Sequence, residues 1–296
     1  MLNFIDTRNS YRFLKYFNYL EQKYGKNDDG LSFRDNHIPL SLTCDYDEVG
    51  EHYRLADVIS TYTGICITGE SGSGKKVLVQ SFVQAMSYYT NNLTKIACGN
   101  LIPFVVNSLD FGDIPEVTSK SIEDYIIDEF TRYVPENPDV ENPHSVFETN
   151  DVIFKRLFNN NQLVLIFENT SKLSTLSLKL FTEALDAFIR VYPNIKYLIV
   201  DTNDIGGFTK FTIEPFDIQR IKDYINLYAK NRKCDIPASE RLITTIINNP
   251  KLLTMFGNPK RLKMICDLSL NNFPLHYIML DESELKTLQT IYREMK

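Results

Sequence analysis

An α/β fold, a parallel sheet layered between helices with an all-helical C-terminal part, is what this chain of 296 residues predicts. Three observations carry the prediction. Short apolar runs alternate with helical stretches between residues 64 and 213, the pattern of strands buried on both faces and joined by crossover helices. A glycine-rich segment, Gly69-Glu70-Ser71-Gly72-Ser73-Gly74-Lys75-Lys76, lies between the first of these runs and the helical stretch that follows it. From Asp217 onward the pattern turns wholly helical.

Residues 8–24 carry Tyr11, Leu14, Phe17 and Leu20, or alternatively Phe13, Phe17 and Leu20, at helical spacing, and the glycine and asparagine cluster at 25–30 ends that helix. Residues 31–63 are mixed and give no clear element. Gly64 to Thr68 reads as a buried strand, and Val77 to Tyr89 as a helix with Val77, Phe82 and Met86 on its apolar side. Ile102 to Val106 is a second strand. Ser121 opens a helix, with Asp124 at the capping-box position. Pro135, Pro138 and Pro143 mark a loop over 134–146. Leu163 to Phe167 is the strongest buried strand. A helix over 174–190 places Leu176, Leu180, Leu185 and Phe188 on one side. Strands follow at 195–200 and 209–213. Helices are then expected from Ile218, from Ser239 to Asn248, from Pro259 to Leu270 and from Ser283 to Met295. The expected organisation is an N-terminal helical segment (1–50), a sheet domain (51–214) and a helical lid (215–296), with the boundary near Pro215.

Composition narrows the function classes. The hydrophobic content is 43% and the charged content 24%, an ordinary balance for a globular chain. No apolar run approaches the ~20 residues that span a bilayer, and the N-terminus lacks the basic region and cleavage site of a signal peptide. No membrane association and a cytoplasmic location are expected. Five scattered cysteines, with no C-x-x-C pair, argue for free thiols over a disulfide framework or a zinc site. A net charge of −6 argues against nucleic acid as a partner. The basic group Lys251, Lys260, Arg261 and Lys263 is read as a solvated helix face.

The glycine segment fits G-x-x-x-x-G-K through Lys75 and then departs from it. Glycines at Gly69, Gly72 and Gly74 let the backbone aim successive N–H groups at phosphate oxygens, with Glu70, Ser71 and Ser73 between them. The helix that follows adds its positive N-terminal end, and Lys75 reaches the terminal phosphates. Strand, glycine loop and helix in this order mark a P-loop fold. The next position requires Ser or Thr, whose hydroxyl holds Mg²⁺; here it is Lys76, whose ammonium cannot ligate a cation. The second expected part of such a site is an apolar strand ending in an acidic residue. Leu163 to Phe167 followed by Glu168 fits. Glu168 reads either as a metal-site carboxylate, one methylene longer than the usual Asp, or as a cap on the next helix.

Beyond the loop, the chain resembles NACHT-type NTPases of the STAND class, relatives of AAA+ proteins. The resemblance runs from about residue 50 to 296 and rests on stretches that recur in order. They are Ile67 to Lys75, Ile102 to Val106, Val146-Phe147, Leu163 to Leu173, Tyr192 to Val200, Ile213 to Ile225 and Asn258 to Ile265. It implies an ATP- or ADP-binding module that oligomerises or joins protein partners in a signalling or defence assembly. It also implies an adenine contact for Pro259, which reads equally well as a helix-start proline.

The departures from the family pattern are specific. Where the family has Asp-Gly-x-Asp-Glu-Leu, this chain has Glu168-Asn169-Thr170-Ser171-Lys172-Leu173. Where it has Thr-Ser-Arg, this chain has Asp201-Thr202-Asn203. Together with Lys76 these changes remove a hydroxyl, two carboxylates and a guanidinium. Losing one such electrostatic partner typically costs ~10²–10³ in rate. Weak or absent hydrolysis is therefore expected, with nucleotide binding retained and Mg²⁺ left open. Two other readings stay open: an active AAA+-type ATPase acting on DNA, of initiator or transposition type, and a nucleotide-free scaffold.

Overall fold

The structure is a computed structural model, and it describes residues 7–26, 32, 37–44, 51–91, 101–112, 117–133, 150–200, 207–269, 290 and 292. Ten helices and six strands lie among them: α1 (Thr7–Tyr24), β1 (Leu42–Cys44), α2 (Leu55–Thr61), β2 (Gly64–Thr68), α3 (Lys75–Asn91), β3 (Ile102–Asn107), α4 (Ser119–Tyr133), α5 (Asn150–Asn159), β4 (Leu163–Glu168), α6 (Thr175–Val191), β5 (Lys196–Val200), β6 (Thr209–Ile213), α7 (Ile218–Arg232), α8 (Ile236–Ile247), α9 (Pro250–Phe256) and α10 (Pro259–Ser269). Short 3₁₀ turns follow β3 and β4. The chain divides into two compact units. One comprises 1–35, 41–69 and 75–212; the other comprises 36–40, 70–74 and 213–296.

The first unit holds a six-stranded sheet in the order β1-β6-β2-β5-β4-β3. The pairs β2–β5, β2–β6, β3–β4 and β4–β5 are all parallel. From β2 the chain crosses to β3 at the far edge, returns through β4 and β5, and then passes beyond β2 to β6. Connections thus part at β2, and in open parallel sheets ligands bind outside the carboxyl ends of strands at such a point. Register fixes what lies there: Ile67, Val200, Glu168 and Asn107 form one row across the sheet.

Every residue from Leu163 to Phe167 is buried, so both faces of β4 are covered, as its unbroken apolar run requires. Helix α1 packs against α3 and α4, and α4 against α5 and α6. Aromatic rings fill much of this packing, including Phe130 edge-on to Phe154 with centroids 4.8 Å apart. Tyr16 joins α1 to the sheet: it stacks on Phe104 at 5.7 Å, and its hydroxyl donates to the Pro103 carbonyl at 3.1 Å.

In the second unit, α7 packs against α8, α8 against α9, and α10 against α9 and α7. Ile221, Ile225, Leu242, Ile246, Leu252, Phe256, Leu262 and Ile265 form its core. Asp217 caps α7 by accepting from the Arg220 N–H at 2.8 Å.

The regular elements follow the sequence pattern closely, and the departures have local causes. Helix α4 begins at Ser119, two residues ahead of the expected start. Its box is formed by Thr118 and Ser121, whose side chains each accept the other's backbone N–H at 3.2 Å. Asp124 instead pairs with Lys120 at 2.7 Å. Leu176 is 68% exposed, and the buried face of α6 is Phe181, Ala184, Leu185 and Phe188. Val77 and Ile218 are also exposed, each in a first turn where the helix has not yet met its neighbour. Four elements come from stretches to which the sequence pattern assigns no element: β1, α2, α5 and α9. The loop at 134–146 and nearly all of the helix expected at 283–295 lie outside the described residues.

Candidate functional site

The loop after β2 is a tight wrap. Gly69, Gly72 and Gly74 have φ of 148°, 86° and 101°, and α3 starts at Lys75. The helix thus presents its N-terminal N–H groups directly after the loop, where they favour an anion.

In the first unit, the Lys75 ammonium donates to the Gly69 carbonyl at 2.5 Å, drawing the two ends of the loop together. Lys76 follows on the exposed side of the first turn of α3. Glu168 ends β4 in the same cross-sheet row as Ile67, two residues ahead of Gly69. Burial pushes the Glu168 carboxyl up from its ordinary value, opposed by the positive charges of Lys76, Lys23 and Lys172. Beside it, Asn169 adopts a left-handed conformation (φ 65°), and its amide donates to the Asn107 side-chain oxygen at 3.0 Å. This turns the chain away from the strand and into the 3₁₀ turn that carries Ser171 and Lys172. Glu168 therefore does not cap α6; Ser174 does, accepting from the Ser177 N–H at 3.1 Å.

In the second unit, the loop tip is held by the start of α10. Asn258 donates from its side-chain amide to the Ser71 carbonyl at 3.1 Å. Its side-chain oxygen accepts the N–H groups of Lys260 and Arg261 at 3.1 and 3.4 Å, so the same residue caps the helix. The Lys260 N–H donates onward to the Gly72 carbonyl at 3.2 Å, and the Arg261 guanidinium lies 3.9 Å from the Glu70 carboxylate. The Ser73 N–H closes the turn onto the Glu70 carbonyl at 3.1 Å. Pro259 occupies the first position of α10, half-buried, beside Asn258. A Cβ on Gly72 would meet the Lys260 Cβ at 2.7 Å, and one on Gly74 would meet Leu40 Cδ1 at 2.8 Å. Only glycine fits at these two positions.

One polar atom of the loop lacks a protein partner. Ser73 is 8% exposed, and its Oγ makes no hydrogen bond. A buried hydroxyl left unpaired costs roughly 1–3 kcal/mol. An anionic oxygen held in the loop would supply the missing acceptor, so these residues fit a phosphate group. At the position after Lys75, the Lys76 ammonium offers no ligand to a divalent cation. Among the described residues no group of three or more His, Cys, Asp and Glu side chains could hold a metal. The Glu168 carboxylate feels the positive charges of Lys76, Lys23 and Lys172.

Sequence reading missed several residues that the structure brings to these positions. Asn258 carried a readable signal, since Asn followed by Pro is the pattern of a helix cap and first turn. Lys23 and Tyr24, at the end of α1, carried none. Of the basic residues near the C-terminus, Arg261 faces Glu70, and Lys263 pairs with Asp267 at 3.5 Å.

Sheet order, glycine loop and helix start define an α/β fold of P-loop type. In line with this, residues 47–115, about a quarter of the chain, match the family model described as the Sigma-54 interaction domain. Among solved structures, the chain is similar to the Thermotoga maritima RuvB Holliday junction branch migration motor, at 11% identity and a TM-score of 0.35, covering 77% of this chain and 61% of that one. It is also similar to a DNA replication initiation factor, at 14% identity and a TM-score of 0.39, covering 72% of this chain and 57% of that one. The chain therefore spans about three fifths of these solved chains. Likenesses this loose carry no argument about function. No curated protein matches the chain by sequence. Among the described residues no helix is long and apolar enough to cross a membrane.

Proposed function

We propose that the chain is a nucleotide-binding module of STAND or NACHT type. It holds ATP or ADP in the loop 69–76, turns it over slowly or not at all, and serves as an oligomerising or regulatory part of a larger assembly. The observation that carries the binding reading is the loop itself: three positive-φ glycines and a buried Ser73 hydroxyl without a protein partner, directly ahead of a helix N-terminus. The backbone donors and Lys75 supply this binding, and none of them depends on the altered positions. Slow hydrolysis follows from the other end of the site. Lys76 replaces the metal-binding hydroxyl, and Ser171-Lys172 stand where the family carries carboxylates. Phosphoryl transfer is almost entirely positioning and charge stabilisation, so these changes remove its main supports. The role in signalling or defence rests on resemblance alone.

A thermal-shift titration with ATP, ADP and GTP tests the reading, paired with a phosphate-release assay. Ligand at ~100 times its dissociation constant adds ~2.7 kcal/mol of stability. Nucleotide binding without phosphate release, with binding abolished in Lys75→Ala, is the expected result. Robust turnover stimulated by DNA would replace the proposal with an active AAA+-type ATPase. No shift with any nucleotide would leave a scaffold.

A further inference from the structure

We infer that a second copy of this chain docks on the corner between α7 and α8: exposed Ile236, rimmed by Lys230, Arg232 and Lys233, receives the acidic face that the other copy carries around Leu109 and Asp128. The inference rests on the oligomerising part of the reading above and names the two surfaces for it.

The charge of the chain is polarised. Residues 101–150 hold eleven Asp and Glu against two Lys and Arg, whereas residues 218–269, the span of α7 to α10, hold ten Lys and Arg against four Asp and Glu. Asymmetry of this kind points to a charged partner. A nucleic acid is drawn to the second stretch and repelled by the first. A second copy of the same chain offers the complement of each, so charge complementarity favours self-association.

The basic corner is built by the way α7 ends. Lys233 adopts a left-handed conformation (φ 54°), and its N–H donates back to the Lys230 carbonyl at 3.3 Å. The Cys234 N–H donates to the Ala229 carbonyl at 2.9 Å. These bonds close α7 and turn the chain, and α8 starts at Ile236. Three cations and an isoleucine are thus held within the seven residues from Lys230 to Ile236. The cations are exposed, and Ile236 is 69% exposed. The Arg232 guanidinium stands 5.8 Å from the centre of the Tyr228 ring, which steadies it beside the corner. Lys230 and Arg232 also suit the negative end of a helix, but that role does not account for a bare isoleucine among them. An apolar centre with a charged rim is the anatomy of a docking surface.

The acidic face lies in the first unit. The 3₁₀ turn after β3 (Ser108–Phe111) presents Leu109, 38% exposed, and Asp110. The Tyr125 hydroxyl donates to the Asp110 carboxylate at 2.7 Å, and the Phe111 ring lies 5.1 Å from the Tyr125 ring, so the turn is fastened to α4. Exposed Asp128 follows Tyr125 by one turn of α4, and exposed Asp124 lies one turn before Asp128. An exposed leucine beside carboxylates is the counterpart of an exposed isoleucine beside ammonium groups. The two faces are different surfaces of one chain, so the contact is heterologous.

The test is sedimentation velocity of the full chain over a range of concentrations, at low and high salt, beside a thermal shift with ATP for each variant. Wild type associates with rising concentration at low salt and dissociates at high salt, as screening requires. Lys230→Glu and Asp128→Lys, both at exposed helical positions, each weaken association by about tenfold, equivalent to ~1.4 kcal/mol. Ile236→Asp, which places a carboxylate at a helix start where it suits the fold, does the same. An equimolar mixture of Lys230→Glu and Asp128→Lys recovers a dimer, because each variant keeps the intact face that the other needs. A wild type that stays monomeric at every concentration while still shifting with ATP overturns the inference and leaves the nucleotide reading standing. A monomer that binds no nucleotide sinks both. Association unchanged in Lys230→Glu and Ile236→Asp places the contact elsewhere and overturns the inference. Binding of a short DNA duplex that Lys230→Glu abolishes, without self-association, assigns the corner to a polyanion and overturns it as well.

Discussion

The tip of the glycine loop and the end of β4 are built from different material. At the tip, backbone groups do the holding: carbonyls of Ser71 and Gly72 accept from Asn258 and Lys260, and glycines sit where no Cβ fits. At the end of β4, side-chain charge dominates: one carboxylate among the ammonium groups of Lys23, Lys76 and Lys172. The contrast teaches which part of a P-loop survives sequence change. Backbone donors persist so long as glycines keep their conformation, whichever side chains flank them. Metal and water positioning need particular side chains, and Lys76 stands where the phosphate-loop pattern has Ser or Thr.

The sharpest way to break the tip is Gly72→Ala. A methyl at φ 86° would press on the Lys260 Cβ and the Asn258 side-chain oxygen. Strain of this kind costs about 1–3 kcal/mol, and nucleotide binding should be lost with it. Chemical denaturation and ATP titration check the two effects together; unchanged stability would show that the tip tolerates rearrangement. Asn258→Ala comes next. It removes the cap of α10 and the bond to the Ser71 carbonyl, with an expected loss of about 1–2 kcal/mol. Weaker ATP binding in this variant, measured beside the stability change, would tie α10 to loop shape.

Glu168→Gln is the smallest effect and has the opposite sign. The folded carboxyl sits above its unfolded value because burial disfavours the charge. Its favourable contribution is present below the unfolded carboxyl range, around pH 4, and is lost as pH rises through the folded value. At neutral pH the buried carboxylate is therefore a liability, and the neutral glutamine variant should melt at a higher temperature. The difference should close as pH falls below about 4. Melting curves of both proteins across pH check this. A variant less stable than wild type at neutral pH would mean that the surrounding lysines outweigh burial.

Much of the sheet was legible because buried strands are written as unbroken apolar runs. Gly64 to Thr68 has the same bounds in sequence and structure, and β4 extends the expected strand only by Glu168. Short elements were not legible. Helices α2 and α9 have seven residues each, two turns in which a 3.6-residue period can hardly repeat, and β1 has three residues. Errors of face, as at Leu176 and Val77, fall in first turns, where periodicity names a stripe but not where the neighbouring element begins.

By itself the sequence determined the local chemistry: a strand, a glycine loop, a helix start, a lysine in place of a hydroxyl and an acidic strand end. Each depends on residues adjacent along the chain, where spacing dictates conformation. Only the tertiary structure decided what surrounds them. It places Asn258, distant from Ser71 in sequence, against the loop tip, and anchors α1 to β3 through Tyr16, from where the charge of Lys23 acts on Glu168. Burial and charge are properties of neighbours in space, and packing alone selects those neighbours.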